Sequence, residues 1–316
     1  MHLPAQFDSL AAAGVALPPD RPLHLAIGMF DGVHLGHRAV IGAAVGTAHR
    51  CGELAGVLTF WPHPSRLFNP QNPTRQIMPP GVKTRVLLQL QTDVVITQPF
   101  DAAFAGIAAE EFLPLLRKHF PGLVAIYVGD NWRFGRGRSG DVALLQAEAA
   151  RHGLAVVNLP RLDRGGEPVS SSRIRACLEA GEIGEANAML GGTYVSEGTV
   201  VSGRQLGRTL GFPTLNLVWG SELAPRFGVY AIRVAGPGMF APLPAVANFG
   251  LRPTVEQAGV PVLEVHVLAD CPFGSGDALT VEWLKFLRPE QKFDGVETLR
   301  AQIARDVAAA GTILRG

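Results

Sequence analysis

The sequence predicts an α/β plus β protein: a parallel-sheet domain covered by helices, then a small antiparallel β-barrel or sandwich closed by a C-terminal helix. Three observations carry this expectation. Between Leu23 and Leu159, short apolar runs alternate with longer helix-like segments, which is the pattern of a parallel sheet buried on both faces. The first apolar run ends in a glycine-rich turn leading into a helix, Leu25–Arg38 (L-A-I-G-M-F-D-G-V-H-L-G-H-R). Gly191 and Gly192 mark a change of texture, after which alternating or β-branched segments are separated by Gly or Pro. A chain of 316 residues is long enough for two domains with sizeable cores.

Taken in order, residues 1–21 read as an irregular or weakly helical lead-in. A strand is expected at Leu23–Ile27, a helix at Arg38–Arg50 and a second strand at Ala55–Phe60. Six prolines between Pro62 and Pro80 make 61–81 rich in loops. Val82–Leu90 suits a helix, Asp93–Thr97 a buried strand, Phe104–His119 a helix and Leu123–Val128 a strand. Asp141–Arg151 places Ala and Leu on one helical face, and Ala155–Leu159 is the last strand of this half. Ser170–Ser172 caps a helix from Arg173 to about Ala180, followed by a short helix at Ile183–Leu190. Beyond the glycine pair, strands are expected at Tyr194–Val201, Gly228–Val234, Ala245–Asn248, Val262–Leu268 and Leu279–Phe286. An amphipathic helix runs from Gly295 to about Ala309.

Composition narrows the function. Hydrophobic residues make up 47% and charged residues 17%, a globular rather than a disordered balance. A formal net charge of +1 argues against a general nucleic-acid binder, which carries a basic excess. Cys51, Cys177 and Cys271 are scattered, odd in number and without CxxC spacing, so neither a disulfide framework nor a zinc site is supported. The start, M-H-L-P-A-Q-F-D, lacks the basic head and apolar core of a signal peptide, and no apolar run approaches membrane-spanning length. A cytoplasmic protein, monomeric or weakly self-associating, with no nucleic-acid or membrane partner, is expected.

Several motifs carry chemistry. In Leu25–Arg38 a strand, a glycine turn and a helix N-terminus form a cradle for an anion, because free N–H groups and the helix dipole point at it. His34 and His37, three residues apart, add charge or hydrogen bonds on one side of that turn. Thr59-Phe60-Trp61-Pro62-His63-Pro64 follows the second strand, where ligands of open α/β sheets gather. His63 between two prolines, taken alone, reads as part of a rigid turn. The loop Gly129–Gly140 holds Asn131 and Arg133 among Gly, Arg and aromatic residues, suited to an anionic, planar ligand. Its G-x-G-x-x-G spelling at Gly135–Gly140 is no dinucleotide fingerprint, because the strand ends too far upstream. Ser170-Ser171-Ser172-Arg173-Ile174-Arg175 is both a helix cap and a possible second phosphate clamp. In the second half, Thr214 and Asn216 share one face if G-F-P-T-L-N is extended, offering a hydroxyl and an amide oxygen to Mg²⁺ and phosphate. Alternation in Val262–Leu268 sets Glu264 and His266 opposite an apolar face, making Glu264 a candidate general base or part of a solvated strand face.

Together these motifs resemble the bacterial bifunctional riboflavin kinase/FMN adenylyltransferase (FAD synthetase) family, in order, from about Leu23 to Ala308. G-M-F-D-G-V-H-L-G-H, T-F-W-P-H-P, V-G-D-N-W-R-F-G and S-S-S-R-I-R are similar to its adenylyltransferase half. G-R-T-L-G-F-P-T-L-N-L, G-V-Y-A, A-N-F-G-L-R-P-T, L-E-V-H-V-L and F-L-R-P-E-Q-K-F are similar to its kinase half. The resemblance implies a Rossmann-like nucleotidyltransferase domain over 1–186 and a riboflavin kinase domain over 187–316, a six-stranded Greek-key-like barrel with a C-terminal helix. It implies phosphorylation of riboflavin to FMN and adenylylation of FMN to FAD, with ATP as donor, Mg²⁺ as cofactor and pyrophosphate as by-product.

By the same carry-over, Gly28, Phe30, Asp31, Gly32, His34 and His37 bind the ATP phosphates, and the two histidines stabilise charge during transfer. Ser171, Ser172 and Arg175 hold the leaving pyrophosphate; His63, Asn131 and Arg133 face FMN. Gly203, Gly207, Thr214 and Asn216 belong to the kinase ATP site, the last two to Mg²⁺, and Glu264 takes the proton from the flavin hydroxyl. The chain departs from the family pattern at Leu215 (usually Ala), at the turn Asp270–Gly276, at Ser172 (often Thr) and at Trp132 (often Phe). Two alternatives accompany this reading: a single active half, the adenylyltransferase alone, and a non-catalytic flavin or nucleotide sensor. Retention of His34, His37, Asn216 and Glu264 together argues against the sensor.

Overall fold

The structure, a computed structural model, describes residues 5–202, 206–251, 259 and 261–315. The chain forms two compact units, Met1–Gln76 with Lys83–Ser170, and Ile77–Val82 with Ser171–Gly316.

The chain opens with β1 (Ala5–Phe7) and α1 (Leu10–Ala16), then alternates through β2 (Leu23–Ile27), α2 (Leu35–Cys51), β3 (Leu54–Trp61), α3 (Ser65–Phe68), α4 (Pro80–Gln89) and β4 (Val94–Pro99). It continues through α5 (Ala102–Ala105), α6 (Ala109–His119), β5 (Leu123–Gly129), α7 (Val142–Arg151) and β6 (Ala155–Leu159), and a small hairpin of β7 (Asp163–Arg164) and β8 (Glu167–Pro168) follows. The six main strands form one parallel sheet in the order β1-β4-β3-β2-β5-β6. All of β2 is buried, because β2 is central and carries apolar residues on both faces. From β2 the chain winds outward through β3 and β4, then returns to place β5 on the other side of β2. That reversal makes β2 and β5 the switch point of the sheet, and open α/β sheets bind ligands at the carboxyl ends of such strands.

Two local expectations are corrected. The described part of the lead-in carries a strand as well as a short helix: β1 pairs in parallel with β4, and Ser9 caps α1 by accepting from Ala12 N–H at 3.1 Å. A three-residue edge strand is too short to show a period. The helix expected over Phe104–His119 is broken into α5 and α6. Gly106 N–H closes the first segment on Ala102 and Ala103 carbonyls, and the Glu111 carboxylate accepts from Ala108 N–H at 3.2 Å to start the second.

The second unit carries α8 (Ser171–Ala180), α9 (Ile183–Leu190), β9 (Tyr194–Val201), α10 (Leu206–Thr209), β10 (Leu215–Trp219), β11 (Gly228–Ala235), β12 (Leu243–Leu251), β13 (Pro261–Val267), β14 (Ala278–Arg288) and α11 (Val296–Arg315). Its strands close an antiparallel barrel in the order β10-β13-β12-β11-β14-β9. Strands β11 to β13 meander and β14 returns beside β11, which is a Greek key. Trp283, Tyr194, Tyr230 and Phe249 fill the interior, with the Tyr230 and Trp283 rings edge to face at 4.7 Å. The buried indole N–H of Trp283 is satisfied by Ser196 Oγ at 2.8 Å.

Helix α11 covers an outer apolar patch of Val229, Ala231 and Val246 with Ala310, Val307 and Ile313. It is anchored by Arg288, which donates to both carboxylate oxygens of Asp306 at 2.7 to 3.1 Å, with Gln302 adding a bond of 2.9 Å. Helix α9 is tied to the barrel by Asn187, which donates to Trp283 O at 2.8 Å and accepts from Tyr194 N–H at 2.7 Å. Strand β10, expected only conditionally, is short and alternates over few residues. The C-terminal helix extends beyond Ala309 to Arg315. Among the described residues, no helix is long and apolar enough to cross a membrane.

Candidate functional site

Strand β2 delivers the chain into the turn Gly28–Val33, whose first amide, Gly28 N–H, donates to Leu58 O of β3 at 3.1 Å. Phe30, Gly32 and Val33 all have positive φ, 46°, 80° and 43°. Glycine adopts this conformation freely, whereas Phe and Val are strained in it, and both are buried where packing holds them. Such strain belongs to a turn whose shape matters more than its stability.

His34 is the N-cap of α2, its Nδ1 accepting from His37 N–H at 3.3 Å. An accepting Nδ1 leaves the proton of the neutral ring on Nε2. The two imidazoles stack with centroids 3.6 Å apart and planes 15° from parallel, and Phe30 meets the His37 ring edge-on at 5.2 Å. Burial lowers the His34 pKa to about 4. Burial, then His34 and Lys83, holds His37 well below its ordinary range. At neutral pH both rings are therefore hydrogen-bonding groups and not cations. Of the two contributions expected from the sequence, charge and hydrogen bonds, only the second remains. His37 Nδ1 is buried and has no hydrogen-bond partner among the described residues.

A residue missed in the sequence sits behind this turn. Lys83, from the first turns of α4, is fully buried. Its ammonium donates to Met29 O at 3.2 Å, Thr59 Oγ1 at 3.0 Å and Phe60 O at 3.3 Å. Thr59 Oγ1 in turn donates to Met29 O at 2.9 Å. Burial lowers the Lys83 pKa to about 8, opposed by the Asp31 carboxylate. The lysine stands in an ordinary helical segment, so only the acceptors that the fold gathers around it reveal it.

The other candidates of this unit lie at neighbouring strand ends. After β3, His63 Nδ1 bonds Ser65 Oγ at 2.8 Å and accepts from Ser65 N–H at 3.1 Å, so the turn is held by the His63 ring itself. After β5, Asn131 and Arg133 are exposed, beside Trp132 stacked on Phe134 at 4.5 Å. Gly135 has φ 72° and faces the Ala109 backbone, while Gly140 pairs with Phe134 in a bridge. Those glycines shape a loop and form no first turn of a dinucleotide fold.

Ser171, Ser172 and Arg175 open α8, which belongs to the second unit, whereas the histidine turn belongs to the first. Arg173 pairs with Glu185 at 3.0 Å, joining α8 to α9.

On the barrel, Glu264 of β13 lies directly opposite Asn216 of β10 on one side and Asn248 of β12 on the other. Directly opposed residues of antiparallel strands share a face. The intervening Leu263 and Val265 are buried, so the polar row faces outward. His266, two residues on, bonds Pro213 O at 2.8 Å, which fastens the segment before Thr214 to this strand. Gly207 closes the G-R-T-L-G-F turn, its carbonyl accepting from Phe212 N–H at 2.8 Å, and a Cβ there would stand 3.1 Å from Thr214 Oγ1. Leu215 pairs with Val265, so its extra bulk turns to the face opposite Asn216. Asn248 was in a motif but not among the candidates; the cross-strand register brings it in. Gly203 lies outside the described residues.

Thr214, Asn216 and Glu264 offer a hydroxyl, an amide oxygen and a carboxylate, the hard donors that Mg²⁺ takes. No group of three or more His, Cys, Asp or Glu occurs among the described residues. A site of one or two protein oxygens completed by phosphate fits that donor set, and a closed protein cage does not.

Comparison with known proteins also divides the chain in two. Residues 18–173 match the FAD synthetase family and residues 190–314 the riboflavin kinase family. A bifunctional riboflavin kinase/FMN adenylyltransferase of Escherichia coli (strain K12) is 38% identical over 294 residues, spanning 92% of this chain and 93% of the relative. One from Bacillus subtilis (strain 168) is 33% identical over 287 residues, 89% of each chain. A crystal structure described as a macrolide-efflux protein from Streptococcus pneumoniae matches with a TM-score of 0.85 at 26% identity, covering 97% of this chain and 98% of that one.

Proposed function

The chain belongs to the bifunctional riboflavin kinase/FMN adenylyltransferase family, and from that premise we propose how its residues divide two ATP-dependent reactions. The enzyme phosphorylates riboflavin to FMN and adenylylates FMN to FAD. Adenylyl transfer is assigned to residues 1–186 and phosphorylation to residues 187–316. One observation supports the division above others: the candidate residues gather into two constellations, the stacked histidine turn at the end of β2 and the Asn216–Glu264 row on the barrel.

In the first, the turn's N–H groups other than those of Gly28 and Val33, which donate to Leu58 O and Phe30 O, hold ATP phosphate oxygens together with the His34 Nε2–H and the His37 imidazole, with Phe30, Asp31 and Gly32 setting the turn. A phosphate oxygen of FMN attacks the α-phosphorus in line. The new P–O bond forms as the bond to the β-phosphate breaks, and pyrophosphate leaves. Charge spreading onto the α-phosphate oxygens meets donors already in place, so the histidines stabilise it without exchanging a proton. His63, Asn131 and Arg133 face the FMN side, and Ser171, Ser172 and Arg175 take the pyrophosphate.

In the second, Glu264 accepts the proton of the ribityl 5′-hydroxyl as that oxygen attacks the γ-phosphorus of ATP; the bond from the γ-phosphorus to the β-phosphate oxygen breaks and ADP leaves. Thr214 and Asn216 orient the phosphates, and Gly203 and Gly207 let the backbone approach them. Mg²⁺ held at Thr214 and Asn216 would neutralise phosphate charge when bound. The protein is taken to be cytoplasmic and monomeric or weakly self-associating.

Purified protein given riboflavin, ATP and Mg²⁺ is expected to yield FMN and then FAD, read by fluorescence-detected chromatography. Accumulation of FMN with no FAD would remove the adenylyltransferase assignment. FAD from supplied FMN with none from riboflavin would remove the kinase assignment.

A further inference from the structure

We propose that Lys83 is a positioning residue for adenylyl transfer, its ammonium joining the phosphate turn to the end of β3 and supplying the turn's buried positive charge. The inference rests on the adenylyltransferase reading of the first unit.

The geometry is that of a fully occupied ammonium. Three N–H donors meet three acceptors, Met29 O, Thr59 Oγ1 and Phe60 O, at 3.0 to 3.3 Å. Met29 sits in the turn between Gly28 and Phe30, and Phe60 is near the end of β3, so one side chain fastens two neighbouring strand ends together. Thr59 Oγ1 closes the ring by donating to Met29 O. The next residue, Phe30, opens the strained segment at φ 46° that carries the chain to His34. A restraint at Met29 therefore sets where the turn's N–H groups and the stacked imidazoles lie.

The charge is needed for a separate reason. A phosphate entering the turn brings negative charge, and the two histidines are stacked, buried and electrically neutral at neutral pH. Lys83 is close enough to both His37 and Asp31 to perturb each of them or be perturbed by them. Burial outweighs the Asp31 carboxylate in setting the Lys83 pKa, so keeping an ammonium there is costly to fold. That cost is understandable where an anionic substrate completes the charge balance. With the pKa lowered to about 8, the ammonium is still the major form at neutral pH.

The test compares Lys83→Gln with Lys83→Arg. Glutamine keeps a donor and removes the charge; arginine keeps the charge. FAD synthesis from FMN is measured at varied ATP; riboflavin phosphorylation by the same preparations reads the second unit, and amide hydrogen exchange of β2 and β3 checks that the first unit is folded. Lys83→Gln is expected to lower kcat/KM for ATP on the order of 10²-fold, Lys83→Arg to retain clearly more activity, and phosphorylation to be unaffected by either. Wild-type rates in Lys83→Gln, or equal losses of FAD synthesis in two variants whose first unit is folded, would overturn the proposal.

Should hydrogen exchange show the first unit unfolded in the variants, the unsubstituted protein decides. Its kcat/KM for ATP in FAD synthesis is expected to fall as pH rises through about 8, because the ammonium is lost there. Of the groups that bear on Lys83, the Asp31 carboxylate raises its pKa, and His37, stacked on His34, is held neutral over that range. A flat profile from pH 7 to 9.5 would overturn the proposal. Absence of FAD from the unsubstituted protein would instead sink the adenylyltransferase reading, and this inference with it.

Discussion

His34 links the shape of the phosphate turn to the stability of the first unit. In an unfolded chain its imidazole titrates near 6.5; folded, burial lowers that to about 4. Between those values the unfolded chain binds a proton that the folded chain excludes. Stability is therefore fully present above 6.5 and is lost as pH falls toward 4. At about 1.4 kcal/mol per pH unit the loss amounts to about 3 kcal/mol. His37, held low by burial and by its neighbours, acts in the same direction. The perturbation is His34→Asn, which keeps a side-chain oxygen to cap α2 but cannot titrate. Amide hydrogen exchange of β2 and β3, corrected for intrinsic rates, reads the opening free energy of the unit in both proteins at pH 7 and pH 4. The difference between them is expected to shift by about 3 kcal/mol across that range, against the unsubstituted protein at acid pH. Parallel pH profiles in the two proteins would show that His34 is not held neutral by the fold, and the hydrogen-bonding role given to it would fail.

Three further outcomes follow from the barrel. Glu264→Gln should lower riboflavin phosphorylation by about 10² to 10⁴-fold while FAD synthesis from supplied FMN is unchanged; unchanged phosphorylation removes Glu264 as the base. Gly207→Ala places a Cβ against the Phe212 carbonyl and 3.1 Å from Thr214 Oγ1, so phosphorylation should drop about tenfold or more with adenylyl transfer intact, measured by the same product assay. Asp306→Ala leaves the largely buried Arg288 guanidinium without its partner, and thermal or urea unfolding should show the second unit destabilised by about 3 to 5 kcal/mol, since one member of a buried ion pair is removed.

Much of the fold was legible because local rules and tertiary need agree in this chain. Apolar runs of strand length with glycine and proline between them become buried parallel strands, and the alternation in Val262–Leu268 sets Glu264 outward as expected. The exceptions have physical causes. Residues Ala5–Phe7 become a strand only because β4 offers an edge, and three residues carry no period. The segment Phe104–His119 reads as one helix because its composition suits one, but Gly106 ends the first part on its own carbonyls.

The candidate site divides along the same line. Residue type and spacing alone determined that His34 and His37 flank a glycine turn at a helix start, and that Glu264 shares a strand face with His266. Those are properties of neighbours along the chain, set by backbone geometry over a few residues. Tertiary structure decided that the two imidazoles stack and lose their charge, that Asn216 and Asn248 flank Glu264, and that Lys83 is buried under the turn. Each depends on groups far apart in sequence: β3 and α4 enclosing the Met29 carbonyl, or β10 and β12 pairing with β13 in one register. A side chain's charge and reach are set by the solvent and partners around it. The order of residues names the histidines and the lysine, and packing determines which of them is the cation.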